Sequence, residues 1–214
     1  MIYGVTIGNK NTLTEWGLML VNDLKIGEAA PKLKYVDVPE MSGALDLTEA
    51  LTGSVVYSTR EISFSLFAAK EESNFETARA ELSAYAHGKR LALYLPDDST
   101  HYFIGRISIG AKGGYHSGII PVKVIADPYR LKTSVTSVSV TANGNKTLSN
   151  ELMPTVPTFT ASASGATVKI GSVTHTLSSG ANTFDDMILA AGNNTLKVSN
   201  LSGTITVTYQ EGRL

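Results

Sequence analysis

Apolar and polar residues alternate along the stretch 55–67, where Ile62, Phe64 and Leu66 interleave with Glu61, Ser63 and Ser65. A two-residue period sends the first set to one face of a strand and the second to the other, so the stretch predicts a long strand with one side buried. The period then changes. Phe75, Ala78, Leu82, Tyr85 and Ala86 fall on one face of a helix, and the flanking residues supply its punctuation. Ser73-x-x-Glu76 reads as a capping box, Gly88 as a C-terminal stop, and Lys89 and Arg90 suit the negative end of the helix dipole. The predicted helix runs over 74–87. Alternation returns in Leu91, Leu93 and Leu95, breaks at Pro96-Asp97-Asp98 and resumes over 102–109, which predicts a hairpin. The run 120–126 adds one more strand.

Further along, the pattern is strand throughout. Turn signals recur at Asn143-Gly144, Ser164-Gly165, Gly171-Ser172, Ser179-Gly180, Gly192-Asn193-Asn194 and Ser202-Gly203. Most are spaced about 8–12 residues apart, the rhythm of a small antiparallel sandwich. Leu196/Val198 and Ile205/Val207/Tyr209 alternate between the turns. The sharpest local signal is 168–175, where Gly171 comes first in a two-residue loop, as a type II′ hairpin requires.

Composition divides the chain. Residues 1–132 hold 14 Lys/Arg and 15 Asp/Glu, whereas 133–214 hold 4 of each and are crowded with Ser and Thr. A domain boundary is therefore expected between 132 and 133, after Asp127-Pro128-Tyr129-Arg130. With 214 residues and 43% hydrophobic content, each part can bury a core. The absence of cysteine excludes disulfides, thiolate metal sites and a cysteine nucleophile. The N-terminus has neither the basic start nor the apolar run of a signal peptide, and no apolar stretch approaches the roughly 20 residues that span a bilayer. The expectation is a soluble chain that is not exported and does not enter a membrane. A net charge of −1 offers phosphate no general attraction, so specific DNA binding is not expected.

Little in the chain looks catalytic. His101 follows Asp97 and Asp98 across a turn, which suggests a metal or acid–base site but suits a solvated turn better. His87 belongs to the last helical turn, where a cation complements the dipole. His116 falls in a glycine-rich loop and His175 in a strand, neither with a Ser or Asp in a recognisable arrangement. Gly110-Ala111-Lys112-Gly113-Gly114 lacks the spacing and following helix of a phosphate-binding loop. Asp185-Asp186 lacks the alternating ligands of a calcium loop. No catalytic, cofactor or metal site is expected, and so no enzyme. A glycan site would need an exposed aromatic platform; the second part offers Phe159, Phe184 and Tyr209, all at strand-like positions that suit a core.

The segment 38–67 remains. It joins Pro39-Glu40-Met41-Ser42-Gly43-Ala44-Leu45-Asp46-Leu47-Thr48 to a Gly53 spacer, then Tyr57, then Arg60 two places before Ile62-x-Phe64. This order resembles the distal tail protein family of long-tailed phages, or prophages, of Gram-positive bacteria. The resemblance runs from Leu45-Asp46-Leu47-Thr48 through the capped helix to Asp127-Pro128-Tyr129, and more weakly beyond. The sequence departs from the family pattern at Glu40-Met41-Ser42, where a second glycine often precedes Gly43. The resemblance implies a mainly β chain: an N-terminal β-sandwich with a flanking helix and hairpin, then a galectin-like antiparallel β-sandwich. It also implies a homo-oligomer, a hexameric ring in the virion at the distal tail tip. Such a ring docks on the tail tube protein and the tail-tip hub protein, and DNA passes through it without being specifically bound. A carbohydrate-binding adhesion module and a tail tube protein stay open as alternatives. Met41, Leu45, Leu47 and Leu51 are exposed-looking apolar residues among turn formers, and Asp46 and Arg60 are polar candidates beside them. These six are the candidate subunit interface, the polar two serving either a contact across it or a local pair.

Overall fold

A computed structural model describes residues 3–68, 72–111 and 118–214 and divides the chain into two compact units, Met1–Pro128 and Tyr129–Leu214. Both are mainly β. In the first unit β1 (Thr6–Ile7), β2 (Lys10–Asn11), α1 (Thr12–Trp16), β3 (Leu18–Leu20) and β4 (Lys25–Ile26) precede the small pair β5 (Tyr35–Asp37) and β6 (Ala44–Asp46). There follow β7 (Arg60–Ala68), α2 (Glu72–Ala86), β8 (Arg90–Tyr94), β9 (His101–Ile109) and β10 (Ile119–Ala126). The strands form one curled antiparallel sheet in the order β2-β1-β8-β9-β10-β7-β3, with β4 also on β7. Its centre is the eight-pair register of β10 on β7, from Ile119↔Phe67 to Ala126↔Arg60. Register and alternation agree there: Ile62, Phe64 and Leu66 are buried together with Ile120, Val122 and Val124.

α2 closes this core by placing Phe75, Ala78, Leu82 and Ala86 in the same cluster. It ends at Gly88, whose φ of 74° no L-residue adopts without strain. The helix starts at Glu72, two residues ahead of the expected start, which puts Ser73 in helical backbone instead of at the cap. The side chain of Ser73 lies outside the described residues. Gly105 has a different role. A Cβ there would meet the Ile125 carbonyl oxygen at 2.7 Å and the Ala126 Cα at 2.8 Å, so the close approach of β9 to β10 depends on its absence. Gly105→Ala is expected to lower stability by about 1–3 kcal/mol in a denaturant titration, whereas the open Gly43 tolerates substitution at the cost of backbone strain alone.

In the second unit β11 (Arg130–Lys132), β12 (Thr136–Val140), β13 (Gly144–Asn150), β14 (Thr158–Ala161), β15 (Thr167–Ile170) and β16 (Val173–Thr176) come first. β17 (Gly180–Thr183), β18 (Gly192–Ser199), β19 (Ile205–Tyr209) and β20 (Gly212–Arg213) complete it. Two four-stranded antiparallel sheets, β12-β19-β14-β17 and β13-β18-β15-β16, contribute inward side chains to one core. Phe159, Ile205 and Val207 of the first sheet meet Leu148, Val168 and Leu196 of the second. Gly171 (φ 59°) turns β15 into β16 through the expected two-residue loop, and Ser172 keeps a negative φ, as the type II′ geometry requires. β11 pairs with β20, so Arg130–Lys132, which the composition break leaves with the first part, goes with the second unit.

Candidate functional site

Between β4 and β7 the chain leaves the sheet and makes an arm. The root is held by Lys32 N–H to the Val56 carbonyl (2.8 Å), Ser58 N–H to the Ala30 carbonyl (2.8 Å) and a bridge between Pro31 and Tyr57. Further out β5 and β6 pair with Tyr35↔Asp46, Val36↔Leu45 and Asp37↔Ala44 in register. The tip reverses at Glu40 (φ 66°) and Gly43 (φ 83°). A glutamate in the left-handed region is strained, which places this turn among the few positions where local preference yields to the surroundings. Past Asp46 the outer strand is stopped by its own side chains: Asp46 Oδ1 accepts from the Thr48 backbone N–H (2.9 Å), and Thr48 Oγ1 accepts from Lys34 N–H (3.0 Å). Hydrogen bonds from the side chain and backbone of Thr48, reinforced by Tyr35, hold the Asp46 carboxyl below the ordinary carboxylate range.

Every residue from 30 to 47 is exposed. Strand alternation sends Lys34, Val36, Leu45 and Leu47 to one face and Leu33, Tyr35, Asp46 and Thr48 to the other, and neither face is covered by another layer. Leu51 beyond them is 99% exposed. A two-stranded hairpin on its own is marginal in water, and this one carries apolar side chains on both faces. On the Asp46 face, at the root, lies a concavity of about 530 Å³, lined by Pro31, Leu33, Val55 and Tyr57 on its apolar side and Asp46, Thr48 and Glu49 on its polar side.

The structure thus gathers Met41, Leu45, Asp46, Leu47 and Leu51 on one exposed arm and sets Arg60 apart. Arg60 is 3% exposed at the start of β7, its guanidinium 5.7 Å over the Phe103 ring and 3.8 Å from the Glu28 carboxylate. Asp46 and Arg60 are not each other's partners: one belongs to the arm surface, the other to the body that roots it.

The three described histidines have local partners. His87 Nδ1 accepts from the Ile109 N–H (3.0 Å). His101, buried, lies 2.8 Å from Thr100 Oγ1 and 3.7 Å from Asp98, in the turn that closes β8 on β9. His175 is the one that sequence reasoning left without a partner and the fold supplies with one: its Nε2 is 2.8 Å from Asp186, and its ring stacks on Phe184 at 4.0 Å. The pair joins β16 to the turn that follows β17, and no spacing rule connects residues 11 apart, one in a strand and one in a turn. Of the glycine-rich connector only Gly110 and Ala111 fall within the described residues; Lys112, Gly113, Gly114 and His116 lie outside them. Among the described residues no three of His, Cys, Asp and Glu are grouped to hold a metal ion, and no helix is long and apolar enough to cross a membrane.

No protein-family model matches the sequence, and no curated protein matches it. Among solved structures the chain is similar to the SPP1 Dit (gp 19.1) protein, described as a paradigm of hub adsorption apparatus in Gram-positive infecting phages. The likeness covers 100% of both chains with a TM-score of 0.68 at 12% sequence identity, and at that identity it is a likeness of fold.

Proposed function

We propose that this chain is a structural subunit of a phage tail tip, assembling as a ring at the distal end of the tail in the virion. The observation that carries the reading is the arm: an exposed hairpin, apolar on both faces, built into a chain whose whole length matches in fold a protein of a phage hub adsorption apparatus. Closed rotational symmetry needs one patch to meet a different patch on the next copy, and an arm that leaves its own body can do that. The finer expectations go with this reading: a hexamer, a galectin-like second unit, the tail tube protein on one side and the tail-tip hub protein on the other, and a central channel for DNA. A near-neutral subunit of net charge −1 suits a conduit, since it offers few phosphate contacts that would hold the passing strand.

The protein acts here without catalysis or metal. Metal analysis after dialysis checks this: stoichiometric zinc or calcium would overturn it and point to His101 with Asp98, or to His175 with Asp186. The glycan-binding alternative loses support in the second unit, where Phe159 and Tyr209 are buried and the half-buried Phe184 is covered by the His175 ring. The decisive experiment is the mass of the purified full chain at high concentration, with negative-stain images. Closed rings are expected; a monomer at every concentration would refute the reading.

A further inference from the structure

The two faces of the arm differ in a way that matches one to the other. One carries Val36, Leu45 and Leu47 with Lys34, whose ammonium has no ionic partner among the described residues. The opposite face carries the concavity of about 530 Å³, apolar on one side through Leu33 and Tyr57 and acidic on the other through Asp46 and Glu49. Hydrogen bonds from Thr48, and then from Tyr35, favour the ionised form of its Asp46 carboxyl. A site with an apolar wall and two carboxylates fits a lysine side chain, which lays its aliphatic stem on apolar surface and its head on anions. It fits an anionic or purely aliphatic partner poorly, because either would leave the carboxylates desolvated without a counter-charge.

Within one arm the two halves cannot meet, since strand alternation points them in opposite directions. From this we propose that arms of successive copies stack face to back, the Lys34 side of one arm entering the Asp46–Glu49 concavity of the next. This inference rests on the ring reading and deepens it by naming the contact. The stacking is heterologous, as a ring requires, and each arm is both donor and acceptor. It also explains why apolar residues occupy both faces of an otherwise marginal hairpin: each face is covered by a different neighbour.

Charge reversal tests it on the full chain. Glu49 has no side-chain partner among the described residues, so Glu49→Lys leaves the Asp46–Thr48 turn intact and isolates the contact. Lys34→Glu alone and Glu49→Lys alone are each expected to raise the concentration for half-assembly by about 10-fold or more, through like-charge juxtaposition. The chain carrying both reversals is expected to return to within about 3-fold of wild type, and assembly of wild type should weaken between about 0.05 and 0.5 M salt. Thermal melts of the monomers confirm that each variant folds. Rings that form equally well in both single variants, or a double variant as defective as the sum of the singles, would overturn the stacking and leave the ring reading standing. A wild-type chain that never assembles would overturn both. Should Lys34→Glu fail to fold, Lys34→Gln replaces it, and its assembly must then lose its salt dependence.

Discussion

Replacing Leu45 and Leu47 with Asp is expected to abolish ring assembly while leaving the monomer folded. Leu45 lies on β6, which among the described residues pairs with β5 alone, and Leu47 follows directly after it; they are 43% and 36% exposed, and neither belongs to the core of the first unit. Surface changes of this kind usually move stability by no more than about 0.5 kcal/mol. In an assembled interface the same positions are covered. Each leucine then forfeits about 1–2 kcal/mol of apolar burial, and each new carboxylate adds the cost of being desolvated without a partner. The loss occurs at every subunit contact of a ring, so it multiplies around the circle. Sedimentation at rising concentration reads the effect directly. Rings of unchanged mass in the double variant would place the interface elsewhere. A variant that melts well below wild type would instead show that the arm packs on its own body.

The parts of this fold that were legible in the sequence are those where one periodic signal decides one side of an element. β7 is an example: Ile62, Phe64 and Leu66 face the core and Glu61, Ser63 and Ser65 face away, as alternation predicts. The apolar face of α2 and the Gly171 hairpin were readable for the same reason. What could not be read was held together by partners distant in sequence or by caps with no repeating pattern. The five-residue α1 has no periodicity to detect; it exists because Asn11 caps its first turn and Gly17 (φ 66°) ends it. The arm was visible as a turn-rich segment with exposed-looking leucines but not as a paired hairpin. Its strands bury neither face, so they lack the alternation that normally marks a strand. Arg60 illustrates the limit for the candidate interface. The sequence groups it with Asp46 as a polar candidate of the same segment, yet the strand it opens carries it into the body, over Phe103.

A fragment covering 129–214 is expected to fold alone with a cooperative melt, and one covering 133–214 to be less stable by about 2–4 kcal/mol. The four extra residues supply β11, which pairs with β20 and brings Lys132 to Glu211 at 3.0 Å. Glu211 is 6% exposed. Burial alone would raise its carboxyl, but hydrogen bonds from Thr136 and Lys132, together with the Lys132 charge, outweigh that and leave it below the ordinary glutamate value of 4.5. A carboxyl whose folded value is depressed contributes stability that is present above the unfolded value and lost as pH falls through the folded one. The 129–214 fragment should therefore lose part of its stability below pH 4.5, and Glu211→Gln should remove that part at neutral pH and flatten the acid limb. In 133–214 Glu211 keeps Thr136 but has lost its cation, so the same substitution should cost less there. The Lys132 side chain is 33% exposed, which limits the ionic share to about 1 kcal/mol; most of the difference comes from the lost pairing of β11. Denaturant titrations of both fragments at pH 7 and pH 3.5 decide the matter. Equal stability of the two at pH 7 would show that β11 and Lys132 contribute nothing to the second unit, and a Glu211→Gln variant with an unchanged acid limb would remove Glu211 as its cause.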